Sequence, residues 1–128
     1  MKSHQYNAKI AELFFNTSHA GVLNCQQPLT VCYYCNTQHH NTYLELYLRC
    51  NLNKQIIQTK FKTFGNPYLI AGLEWLCQNL ENTSINRHPW ITAAIISDTL
   101  QIPKIEYTIA LFIETSYNKI ILLSHDLY

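Results

Sequence analysis

The chain has little of what interrupts a fold. Three glycines and four prolines in 128 residues leave no room for flexible linkers, and neither a repeat nor a low-complexity tract is present. Charge is equally scarce: Asp, Glu, Lys and Arg make up 13%, about half the usual share. The polar surface therefore rests on Asn, Gln, Thr and Ser, and a surface so weakly charged invites coverage by a partner. With a net charge of +1 and scattered Lys and Arg, there is no basic stripe, which excludes the electrostatic footprint of a nucleic-acid binder. Long apolar runs are missing too. Met1–Phe15 is too polar for a secretory leader, and runs such as Ile120–Leu123 fall far short of the roughly 20 residues of a membrane span. The five cysteines (Cys25, Cys32, Cys35, Cys50, Cys77) are odd in number and irregularly spaced, which fits reduced thiols in a cytoplasmic protein.

What is present is core material. At 48% hydrophobic and 12% aromatic, the chain can bury a core without staples, and its length fits one domain over residues 1–128. Tyr6, Ile10, Leu13 and Phe14 follow helical spacing, with Ser3 as the expected cap. Leu29–Cys35 is β-branched and aromatic. Tyr43–Cys50 alternates, with Leu44, Leu46, Leu48 and Cys50 on one face and Tyr43, Glu45, Tyr47 and Arg49 on the other. Polar segments at Asn36–Thr42 and Asn51–Lys54 read as turns on either side of that strand, and Gln55–Lys62 as a third strand.

Helices should then cover the apolar face. Asn66-Pro67 is a helix start, followed by a stripe of Leu69, Ile70, Leu73, Leu76, Cys77 and Leu80. A second helix is expected over Ile91–Leu100 and a last one over Lys104–Leu123, with Ile105, Ile109, Phe112, Ile113, Ile120 and Ile121 on one side; β-branched residues let strand compete there. The expected class is α+β: a three-stranded antiparallel meander covered on one face by helices.

The helix Tyr6–Phe15, the meander, the string FKTFG at Phe61–Gly65, Ile70-Ala71 in the following helix, and Ile102-Pro103-Lys104 before the final helix together resemble the IscU iron–sulfur cluster assembly scaffold, the domain also found at the start of NifU. FKTFG, against F-K-T-Y-G in the family, is the most specific piece. The resemblance implies a cluster site at one end of the sheet, built from three cysteines, an aspartate and a histidine; soft thiolates on separate loops suit a cluster or zinc, and the aspartate keeps it labile. Counting without gaps, those ligand positions fall on His40, Thr42, Asn66, Thr108 and Ile109, of which only His40 is a good metal ligand. The family's N-P-R becomes Asn16-Thr17-Ser18, and its chaperone-docking L-P-P-V-K becomes Ile102-Pro103-Lys104-Ile105. The expectation is therefore a scaffold-like domain without its cluster ligands and without a bound cofactor, acting as a protein-interaction or adaptor module.

The competing expectation is a scaffold or metal carrier that still holds iron, zinc or a cluster through Cys35, His39 and His40. Cys32 and Cys35, three apart on a strand, should face opposite ways and so cannot chelate together. Cys50 and Cys77 sit on apolar faces as small hydrophobes, and Cys25 is the thiol expected to be most exposed. No enzyme constellation stands out. Asp98, Glu106, Glu114 and Asp126 are isolated carboxylates expected in solvent, and the adjacent Ser124-His125-Asp126 cannot converge as a triad. Tyr33, Tyr43, Tyr47, Tyr107, Phe112 and Tyr117 are the expected partner-binding aromatics, the partners being proteins in a multi-subunit complex or further copies of the chain.

Overall fold

The computed structural model describes residues 6–37 and 42–128. Ser3, His39 and His40, with most of the expected Asn36–Thr42 turn, lie outside them. The architecture is α+β, as the patterns predict: helix α1 (Ala8–Phe15), strands β1 (Thr30–Thr37), β2 (Thr42–Cys50) and β3 (Ile56–Phe64), then α2 (Pro67–Leu80), α3 (Ala93–Leu100) and α4 (Tyr107–His125), the last preceded by a 3-10 turn at Lys104–Glu106. The strands form one antiparallel sheet in the order β1-β2-β3. Leu46 sits opposite Tyr33 and Phe61, which sets the register of the inner face.

Alternation along β2 buries Leu44, Leu46, Leu48 and Cys50, and α2 and α4 cover that face. The core is completed by Ile10 and Leu13 of α1, Leu69, Leu73 and Leu76 of α2, and Ile113 and Ile120 of α4. The segment 16–21 runs back along the outer edge of β3, where Phe61 N donates to His19 O at 3.0 Å and Gly21 N donates to Phe61 O at 2.8 Å. Gly21 adopts φ +144°, a conformation open to glycine and strained for other residues.

Asn66 begins α2 as expected, its side chain accepting from Leu69 N at 3.1 Å, with Pro67 at the first helical position. Other expectations are corrected. α1 is capped by Asn7, which accepts from Ile10 N and donates to Leu100 O, so one side chain both starts α1 and ties it to the end of α3. The final segment is helix throughout α4 and keeps the expected inner side, with Ile113, Ile120 and Ile121 buried and Ile109 and Phe112 packed against the core. Ile105 leaves that side, because it lies in the 3-10 turn before α4 and is 88% exposed, and Tyr117, on the same face as Ile113 and Ile120, is buried at 1%. The Tyr117 hydroxyl donates to Pro89 O and lies 2.5 Å from His88 Nδ1, which removes Tyr117 from the partner-binding surface. Glu114 is half-buried rather than free in solvent: it accepts from Ala93 N and so receives the first turn of α3.

Candidate functional site

Four of the positions aligned with the family's ligands meet in the fold. The start of β2 brings Thr42, Asn66 caps the start of α2, and the first turn of α4 brings Thr108 and Ile109. With Leu69, Glu106 and Phe112 these residues line a cavity of about 190 Å³. The convergence follows from three local stops in the chain: a strand start, a proline-initiated helix, and the Pro103 break that turns the chain into α4. Asn66 has two tasks here. It accepts from Leu69 N, and its Nδ2 donates to Glu106 Oε2 at 3.3 Å, so the carboxylate expected in solvent instead closes the cavity's rim.

The chemistry offered is hydroxyl, amide, one carboxylate and apolar wall. Among the described residues, no group of three or more His, Cys, Asp or Glu is placed to hold a metal ion. Cys35 stands opposite Leu44 on the inner side of β1, is half-buried, and does not line the cavity. Cys32 pairs with Tyr47 on the outer face, so the two cysteines diverge as their spacing requires. Cys50 and Cys77 are buried, and full burial pushes the Cys77 thiol up to about 12. Cys25 is half-buried, against the expectation of an exposed thiol. Desolvation, then hydrogen bonding and repulsion from Cys32, push it up to about 11, which makes it a poor nucleophile and metal ligand.

The partner-binding aromatics scatter. Phe112 lines the cavity, and Tyr107 lines a separate groove over Pro103 and the end of α3. Tyr43 lies on the outer face and stacks on Phe64, 5.4 Å between centroids, and Phe64 is largely exposed. Tyr33 packs against the core at the β1 edge. Tyr47 is not available: only 4% exposed, it packs edge-on against Tyr34, and both its hydroxyl and that of Tyr43 donate to Glu45. The segment before β1 folds over this face, with Arg49 donating to Gln27. Strand alternation assigns Tyr47 to its face and is silent about what later covers it.

A polar cluster that the sequence patterns do not flag ties the 16–21 segment to α2. Glu74 is fully buried and accepts from His19 N at 3.0 Å and His19 Nδ1 at 2.6 Å, from Ser18 Oγ at 3.3 Å, and from Gln78 Nε2 at 3.0 Å. His19 Nε2 lies 3.0 Å from Glu81, which also accepts from Thr59 N, and Lys60 Nζ caps Ser18 O. Burial alone would lower the His19 pKa. Hydrogen bonds and charge from Glu81 and Glu74 outweigh it, and the net direction is up from 6.5. Burial would raise Glu81, but the His19 and Thr59 hydrogen bonds hold it below 4.5.

The pH dependence follows with its sign. A raised histidine contributes stability fully below pH 6.5, lost as pH rises through its folded value; a lowered glutamate contributes above pH 4.5, lost as pH falls. Maximum stability is expected between those two values. A urea midpoint measured against pH should fall on both sides in the wild type, and His19→Gln should flatten the alkaline side.

With this geometry in view, comparison with known proteins identifies the fold. A family model described as NifU-like N terminal domain matches residues 5–116. Among solved structures, the N-terminal part of a NifU-like protein from Brucella abortus superposes with a TM-score of 0.53 at 14% identity, covering 62% of this chain and 53% of its own. A putative iron–sulfur cluster assembly scaffold protein for the SUF system, from Fervidobacterium islandicum AW-1, gives 0.53 at 13% identity, covering 63% of this chain and 57% of its own. The aligned part thus spans little more than half of either relative. No curated protein matches the sequence. The family match covers most of the chain and the fold agrees with it, so this chain belongs to the NifU-like N-terminal domain family.

Proposed function

We propose that this chain serves iron–sulfur cluster assembly, the process named for its Fervidobacterium relative, and that it does so by binding proteins in the cytoplasm, without catalysis and without holding the cluster at the family's position on its own side chains. One observation carries the second half. The cavity where Thr42, Asn66, Thr108 and Ile109 meet offers amide, hydroxyl and one carboxylate. Clusters are held by thiolates, sometimes with imidazole, so this donor set does not fit one. Asn66 is further committed to capping α2. The surfaces left for a protein partner are the exposed Phe64 with Tyr43, the Tyr107 groove, and Tyr33 at the sheet edge.

A second reading is favoured by family membership itself: a scaffold or metal carrier that uses Cys35, His39 and His40, with a cluster, iron or zinc as cargo. Metal and sulfide content, with the visible spectrum of protein purified without oxygen, separates the two. The first reading expects no stoichiometric iron, zinc or sulfide and no thiolate–iron absorption. About one metal per chain, lost in Cys35→Ser or His40→Ala, establishes the second.

A further inference from the structure

α4 has a face that the core does not use. Its buried residues, among them Ile113, Tyr117, Ile120 and Ser124, form the stripe that packs inward. Lys119, Leu122, Leu123 and Asp126 follow i, i+3, i+4, i+7 spacing and form a second stripe on another side of the helix. Leu122 is 64% exposed and Leu123 38%. With Tyr33 of β1 and His125, the same four residues line an open groove of about 470 Å³ between the helix and the edge of the sheet.

The order of chemistry along this stripe is self-complementary: a cation, two leucines, an anion, symmetric about the point between Leu122 and Leu123. Laid against a second copy of itself in antiparallel orientation, with a two-fold axis through that point, Lys119 meets Asp126 of the other copy and Leu122 meets Leu123. The ion pair forms twice, because such an interface repeats every contact. A parallel arrangement would instead set Lys119 against Lys119 and Asp126 against Asp126. The neighbouring strand offers no obstacle. β1 is the sheet's terminal strand, Thr30–Thr37 contains no charged residue and no proline, and among the described residues no strand pairs with its outer edge. Natural edge strands that must stay single usually carry such guards.

The geometry points to a two-fold homodimer in which the Lys119–Asp126 stripe of α4 packs antiparallel on the same stripe of a second copy, over the edge of β1. This goes beyond the role in cluster assembly: the stripe shares no residue with the cavity, and of the partner surfaces named above only Tyr33 borders its groove and would be taken by the second copy.

Sedimentation velocity on the intact chain tests it. The wild type should sediment at twice the 15.0 kDa chain mass, and Leu122→Glu should sediment as a monomer with unchanged far-UV circular dichroism. Lys119→Asp and Asp126→Lys should each weaken the dimer roughly tenfold or more, because each sets like charges together twice. The double variant should recover wild-type affinity. A wild type that stays monomeric, or gains mass only with a different protein, overturns the proposal. So does a dimer that survives Leu122→Glu, or one that the double charge swap fails to restore.

Discussion

Replacing Glu74 with alanine is expected to destabilise the protein by about 3 kcal/mol, the range seen when one partner of a buried ion pair is removed. Glu74 is completely buried and is the acceptor for four donors: the His19 amide, the His19 ring, Ser18 and Gln78. Its loss strands the half-buried His19 amide and ring, whose unmade bonds cost the desolvation of those groups, while the exposed Ser18 and Gln78 can turn to water. The damage should be directional. The 16–21 segment is held to the β3 edge by the His19 and Gly21 bonds to Phe61, and its only buried charged contacts run through this cluster and Glu81 among the described residues. Amide exchange at Gly21 should therefore accelerate more than exchange at Leu46, in the middle strand. Glu74→Gln keeps the volume and one acceptor oxygen, so its loss should be smaller, about 1–2 kcal/mol. Urea unfolding of the two variants checks both figures. A Glu74→Ala protein as stable as the wild type would mean that water satisfies these donors.

The fold was largely legible from the sequence because its signals are local. Alternation along Tyr43–Cys50, the Asn66-Pro67 helix start and the stripe from Leu69 to Leu80 each need only neighbours within a turn or a strand. What local patterns miss is partnership across the chain. Glu74 falls within an apolar helix and its partner His19 lies 55 residues earlier, so periodicity treats it as one more interruption of the stripe. Glu114 likewise finds its backbone partner 21 residues away, on another helix. Ile105 and Tyr117 differ from expectation for separate reasons. Ile105 lies in the 3-10 turn, before the helical phase of α4 begins. Tyr117 is four residues from Ile113 and three from Ile120, so the apolar stripe itself carries it inward. The site was readable only through the family resemblance: gap-free counting brings Thr42, Asn66, Thr108 and Ile109 to one place, yet no pattern marked Glu106 as their neighbour.

That convergence makes a gain of function the sharpest test of what the cavity has lost. The quadruple variant Thr42→Asp, Asn66→Cys, Thr108→His, Ile109→Cys is expected to bind one zinc ion per chain, with the wild type binding none. The four substitutions supply two thiolates, an imidazole and a carboxylate, a complete tetrahedral set for zinc, from three elements that already line one cavity. Asn66→Cys gives up the bond to Leu69 N and should cost the metal-free variant about 1 kcal/mol. The same position favours the ligand, since a helix N-terminus stabilises a thiolate. Zinc at a thousandfold excess over its dissociation constant would then stabilise the folded variant by about 4 kcal/mol, far more than the lost cap. Thermal melts with zinc and with a chelator read this directly: the variant's midpoint should rise with zinc and the wild type's should not move. A folded variant with no zinc response would mean that the four side chains do not converge, and that the ligand register is wrong. A wild type that responds to zinc would place the metal on other residues, Cys35, His39 and His40 first among them.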